Sequence, residues 1–203
     1  MTTATLDIEK IGAFAQQVGG MLAGGATTAM MVVGDRTGLY AALAAGGPLT
    51  PAQLAAETGT AERYVREWLA QQAAVGFVTY DPTEGTFTLP PEHAAVLASD
   101  DSPASMIGAA PQISGMHRRT DELVEAFRTG KGIGWSEQDP TIFEGSERFF
   151  RVGYRSFLLS QWVPALDGLH DKLSAGAQVI DVGTGHGGAH ASHVRISCGI
   201  DSR

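Results

Sequence analysis

Ten consecutive residues could hold a nucleotide-like cofactor: Gln178, Val179, Ile180, Asp181, Val182, Gly183, Thr184, Gly185, His186 and Gly187. Val179, Ile180 and Val182 read as a short buried parallel strand, which favours β-branched apolar residues. In open α/β sheets, ligands bind at the carboxyl ends of such strands. Gly183 permits a tight turn, Gly185 removes a Cβ where ligand meets backbone, and Gly187 lets a following helix pack close. Asp181 is placed to accept hydrogen bonds from a ligand or from loop amides. Thr184 and His186 complete the loop. The competing interpretation is a glycine-rich turn after an ordinary strand.

Other residues offer weaker chemistry. His186, His190, His193 and Cys198 lie within thirteen residues, but their spacing matches no zinc site, and no metal is expected. His117, Arg118 and Arg119 form a small basic cluster, expected to be a solvated helix face rather than a clamp for a substrate carboxylate. Phe150, Tyr154 and Phe157 follow a helical stripe that normally marks core. No general base is visible.

The elements that must position these residues are mostly helical. Residues 8–24 read as a helix frayed at Gly19-Gly20 and Gly24-Gly25, with a second helix from Thr27 to about Ala45 ended by Gly46-Gly47-Pro48. Thr50-Pro51-Ala52-Gln53 carries a capping box that opens a short helix with Leu54 and Ala55 inward. Thr60 is expected to cap the next helix, whose buried stripe is Tyr64, Val65, Trp68, Leu69, Gln72 and Val75. Phe77–Tyr80 and Thr86–Leu89 read as strands of a hairpin. Together these elements make a winged helix-turn-helix. Pro90-Pro91 and Ser99–Pro103 loosen the chain. A helical region follows from Ala104 to Leu173, with breaks at Pro111, at 129–134 and at Pro164. The expected divisions are a winged-helix region over 1–95, a helical linker or cap over 96–175, and over 176–203 the truncated start of a Rossmann-like α/β sheet. The fold class is therefore mainly α.

Composition narrows the function. The net charge is −8 with 14 Lys and Arg, which disfavours nonspecific nucleic-acid binding, since that binding depends on neutralising phosphates. From Thr27 to Pro90 six acids face three arginines, whereas a groove reader needs a basic face. Cys198 is the single cysteine, which fits a reducing cytoplasm. Ile11 to Gly34 is uncharged, but its six glycines, two glutamines and two threonines argue against a membrane span. Asp7 and Glu9 stand where a secretory signal would be basic.

Asp181-Val182-Gly183-Thr184-Gly185-His186-Gly187 resembles the first motif of class I S-adenosylmethionine-dependent methyltransferases. Through about Gly188 the chain is similar to actinobacterial two-domain methyltransferases with an N-terminal winged-helix domain. The resemblance implies S-adenosylmethionine as cofactor and methyl transfer to an unknown small-molecule acceptor in a full-length parent. It places Asp181, Gly183, Gly185 and Gly187 at the methionine and ribose end of the cofactor. It implies that the N-terminal part dimerises and covers the active site, and that Tyr154 and Trp162 border the pocket. Asp201, twenty residues after Asp181, could stand as the ribose acid. A βαβ unit needs ~30 residues or more, and only 26 run from Gln178 to Arg203. The 203-residue chain is therefore expected to be an inactive fragment, an expectation that micromolar cofactor affinity would overturn. The alternatives are a winged-helix transcriptional regulator and a dimerisation module.

Overall fold

The computed structural model describes residues 6–178 and residue 182. It is mainly α-helical, and its described residues form two compact units that part between Pro90 and Pro91.

The first unit opens with α1, Ile8–Arg36, capped by the Asp7 carboxylate, which accepts from the amides of Glu9 and Lys10. The break expected near Gly24-Gly25 does not occur. Glycine weakens a helix without stopping it, and these glycines keep helical backbone angles. The chain turns instead at Gly38, whose φ of 74° favours glycine. α2, Leu39–Gly46, follows. α3, Pro51–Thr58, starts with the expected capping box of Thr50 and Gln53. α4 spans Glu62–Ala74. Ala61, not Thr60, stands at its N-cap, because the Thr60 hydroxyl is engaged with that of Thr58 at 2.8 Å.

Val65, Trp68, Leu69 and Gln72 bury the inner face of α4. Tyr64 lies at the edge of that stripe and is 79% exposed, and Val75 falls beyond the last turn and is also exposed. The wing is an antiparallel pair, β1 (Thr79–Asp81) and β2 (Thr86–Thr88), with Tyr80 opposite Phe87. Leu49 adds an unforeseen bridge to Phe87, with two backbone hydrogen bonds of 2.8 and 3.0 Å. Leu39, Tyr40, Leu43, Leu54, Val65, Leu69, Val78 and Phe87 form the core of this unit.

A chain of polar contacts ties α1 to α4. The Tyr40 hydroxyl donates to Gln72 Oε1 at 2.5 Å, Gln72 Nε2 donates to Gln71 Oε1, and Gln71 Nε2 donates to Thr27 Oγ1 at 3.0 Å. Burial, and then the charge of Asp35, pushes the Tyr40 hydroxyl far above its usual pKa, so it is a neutral donor. Gln72 is fully buried, and a buried amide requires such partners. The Trp68 indole donates to the Met30 carbonyl at 2.9 Å.

The second unit begins with α5, Pro91–Leu97, a helix that the sequence did not suggest. Next come α6, Ala109–Arg118, and α7, Thr120–Thr129. α8, Pro140–Phe157, runs into one π-helical turn, Leu158–Trp162, and α9 covers Leu169–Ser174. Pro111 does not break the chain. It sits in the first turn of α6, where a missing N–H costs nothing. α6 and α8 form the largest helix contact, across Gly108, Gly115 and Gly145. A Cβ on Gly145 would lie 2.6 Å from the Gln112 nitrogen and 2.8 Å from the Gly108 carbonyl. The loop at Ser99–Pro103 is tied down. Arg148 and Arg155, two turns apart on α8, donate to Asp100 at 2.7 Å and to Asp101 at 3.1 Å.

Candidate functional site

Asp181, Gly183, Thr184, Gly185, His186, Gly187 and Asp201 lie outside the described residues, as do His190, His193 and Cys198. Within the glycine motif, Val182 alone is described. It sits in a bend and is 90% exposed. The chain reaches it through α9 and Gly176, whose φ is 89°.

Tyr154 and Trp162 are described, and the structure brings them together. Their rings meet edge to face at 6.0 Å and 89°, and Phe157 joins Trp162 at 6.4 Å. The π-helical turn makes this possible. Its extra residue shifts the angular position of Trp162, which carries the indole back over the α8 face that bears Gly153 and Tyr154. A Cβ added at Gly153 would lie 3.5 Å from the indole, an ordinary van der Waals contact. Single π turns are frequent at functional sites.

The stripe expected to be core is not fully buried. Phe150 is exposed, and Tyr154 and Phe157 are half-buried, while Val152 between them is buried. The result is a partly open aromatic wall of Tyr154, Phe157 and Trp162, in the helix pair before the glycine motif. Such a surface stacks against flat or cationic groups.

The basic cluster divides its roles. Arg118 holds the N-cap of α8 through two bonds to the Asp139 carboxylate, at 2.7 and 2.9 Å, and a third to the Thr141 hydroxyl. It thus clamps a carboxylate, but one from its own chain. Arg119 pairs with Glu122 at 2.9 Å beside a 590 Å³ cleft lined also by Glu125, Lys131 and Glu137. Among the described residues, Arg119 Nε is the buried side-chain nitrogen that makes no hydrogen bond. The Glu137 carboxylate is already engaged by the Gly134 amide at 2.8 Å. Sequence reading missed both features, because no local pattern joins Arg118 to Asp139.

The Arg118 latch has a pH consequence. The Arg118 hydrogen bond, then the Thr141 hydroxyl and amide, hold the Asp139 carboxyl far below its ordinary 3.8. A depressed folded-state pKa contributes stability above the unfolded value, and that contribution is lost as pH falls. We predict that the melting temperature of the wild type falls more steeply below about pH 4 than that of Asp139→Asn. Asparagine still caps a helix but does not titrate. Parallel thermal melts from neutral to acid check this, and identical slopes would contradict it.

Among the described residues no cluster of three or more His, Cys, Asp or Glu could hold a metal ion. No described helix is long and apolar enough to cross a membrane.

Comparison with known proteins adds to this geometry. Among curated proteins, none matches the chain. Among solved structures, it is similar to the mitomycin 7-O-methyltransferase MmcR, with TM-score 0.68 and 24% identity over 94% of this chain and 57% of that one. It is similar to PigF bound to SAH, with TM-score 0.62 and 18% identity over 91% and 56%. It is also similar to human N-acetylserotonin methyltransferase in complex with SAM, with TM-score 0.60 and 18% identity over 98% and 60%. The chain thus spans somewhat over half the length of these structures and shares their fold over that span. Residues 25–99 match the family described as the Rv2258c-like winged HTH domain.

Proposed function

We propose that this chain is the winged-helix and helical part of an S-adenosylmethionine-dependent methyltransferase, carrying the opening of its cofactor site, and that the whole protein methylates a small molecule. One observation carries this. The chain matches a methyltransferase structure in fold over 94% of its length, and in its sequence Asp181–Gly187 follows the winged and helical units. The cofactor supplies an electrophilic methyl on a sulfonium. Asp181, Gly183, Thr184, Gly185, His186 and Gly187 would line it, with Asp201 toward the ribose. Tyr154 and Trp162 border the pocket, where an aromatic face suits a sulfonium or a flat acceptor. The protein works in a reducing cytoplasm, consistent with its single cysteine, and as a homodimer joined through its N-terminal helices and winged-helix unit.

A DNA-reading role is the second interpretation, and the winged fold favours it. The charges of α4 weigh against it. Arg63 is paired with Glu67 at 3.1 Å and Arg66 with Glu62 one turn away, so the exposed face offers phosphate little net positive charge.

Titration with S-adenosylhomocysteine, followed by backbone amide NMR, tests the proposal. The expected result is dose-dependent shifts of the Gly183, Gly185 and Gly187 amides at millimolar ligand, abolished by Gly185→Val. The absence of any shift there, together with salt-dependent retention on duplex DNA, would favour the regulator instead.

A further inference from the structure

The 590 Å³ cleft beside Arg119 has the size of a small-molecule site, and local sequence builds its walls. Glu122, Glu125, Ala126 and Thr129 fall at spacings of three and four, so one face of α7 supplies the first wall. Gly130 ends α7 with a φ of 73° and an N–H bonded to the Ala126 carbonyl at 2.9 Å. The next amide, that of Lys131, donates to the Thr129 hydroxyl at 3.3 Å. These bonds turn the chain back, so that Lys131 and Ile133 line the same cleft. Glu137 joins them from a 3₁₀ turn, Trp135–Glu137, braced by the Trp135 ring against Phe143 at 4.9 Å.

The charges of this cleft are not settled by its own residues. Three carboxylates and two cations line it, which leaves one negative charge. Glu125 and Lys131 have no ion pair among the described residues. Glu137 gives one oxygen to the Gly134 amide and keeps the other. Arg119 is the most informative group. Its side chain is 25% exposed, Nη1 pairs with Glu122, and Nε is buried without a hydrogen bond. A buried charged donor without an acceptor costs free energy, and it calls for a partner. The neighbouring Arg118 shows what the same edge of a guanidinium does. Its Nε and Nη2 hold the two oxygens of Asp139 at 2.7 and 2.9 Å, the bidentate geometry that carboxylates favour.

We propose that this cleft binds a small amino acid, its carboxylate on the Nε–Nη2 edge of Arg119 and its ammonium groups on Glu125 and Glu137. Lys131 adds a second cation near the carboxylate pole. Because Nε is covered, docking includes a small turn of the Arg119 side chain into the cleft that it lines. A ligand with two ammonium groups and one carboxylate cancels the residual negative charge, so a diamino acid is the best match. Phosphate suits the cleft less well, since three carboxylates repel a dianion. A metal ion does not suit it, because among the described residues no group of three acids can hold one. The site belongs to the helical unit and does not depend on the methyltransferase reading.

The test titrates the full chain with L-lysine and follows backbone amide NMR. Saturable shifts of Gly130, Gly132 and Gly134 are expected, with a dissociation constant on the order of 1 mM. L-lysinamide, which lacks the carboxylate, and hexanoate, which lacks the ammonium groups, should each bind about tenfold more weakly. Arg119→Lys keeps the charge but loses the fork, and should weaken lysine about tenfold. Glu125→Gln, on an exposed position, should weaken it about threefold. Arg128→Gln, on α7 but outside the cleft, should leave it unchanged. Unaltered far-ultraviolet circular dichroism confirms that each variant is folded. Absence of saturable shifts would overturn the site. Equal binding of lysinamide would overturn the Arg119 clamp, and equal binding of hexanoate would overturn the acidic pole. Shifts at Gly132 without shifts at Gly185 would separate this site from the cofactor loop.

Discussion

Gly145→Ala lowers the thermal stability of the helical unit by about 3 kcal/mol, the upper part of the range for overpacking a close contact. For a unit of this size that corresponds to roughly 15 °C in melting temperature. The reason is where the methyl lands. It would lie 2.6 Å from the Gln112 nitrogen and 2.8 Å from the Gly108 carbonyl, both backbone atoms. No rotamer change relieves that clash, so α6 and α8 must separate. Gly108 and Gly115 face the same crossing, where an added Cβ would lie 2.7 Å from the Phe149 nitrogen and from Ile142 Cγ1 respectively, so a shift at one point disturbs all three. Gly132→Ala is the control. Nothing lies within 4 Å of it and its φ is not in the left-handed region, so its effect should stay within about 0.5 kcal/mol. Equal melting temperatures for the two variants would show that the crossing is looser than described.

Trp68→Ala is expected to destabilise the winged unit by about 4 kcal/mol, within the range for truncating a buried tryptophan. Three contacts go at once. The indole fills the space above Gly34, meets the Tyr40 ring edge to face at 5.0 Å, and donates to the Met30 carbonyl at 2.9 Å. Two of these bind α1, so amide hydrogen exchange should rise most in residues 26–36. Trp68→Phe keeps a ring against Tyr40 and loses mainly the hydrogen bond, at a cost of about 1 kcal/mol. Denaturant unfolding with exchange mass spectrometry distinguishes the two. A loss below about 1.5 kcal/mol for the alanine variant would mean that the site collapses around the gap.

These effects arise where the two helical contacts are closest, and they differ in how visible they were beforehand. Trp68 was legible. Val65, Trp68, Leu69 and Gln72 repeat at three and four residues, and burial follows from that period. The Thr50–Gln53 capping box was legible for the same reason, since all its partners lie within one turn. Gly145 was not. Its neighbours Gly108 and Gln112 are more than thirty residues away, and a glycine in a helical stretch reads only as a weak position. The single long α1 departs from the sequence expectation because low propensity weakens a helix without stopping it, whereas a stop requires a backbone angle such as that of Gly38.

The candidate site divides the same way. Asp181, Gly183, Gly185 and Gly187 carry the cofactor-loop expectation through residue type and spacing, and they lie outside the described residues. Tyr154 and Trp162 were separate suspicions in the sequence. Their edge-to-face contact depends on a π turn that α-helical periodicity does not anticipate. Arg118 looked like a solvated cation and proved to be the partner of Asp139, twenty-one residues on.

By itself, then, the sequence determined the helical character, the winged unit and the Thr50–Gln53 capping box, each set by neighbours within a turn or two. Only the tertiary structure decided which glycines lie between backbones, which arginines are already paired and which aromatic rings meet. Those outcomes depend on side chains far apart in sequence competing for the same space.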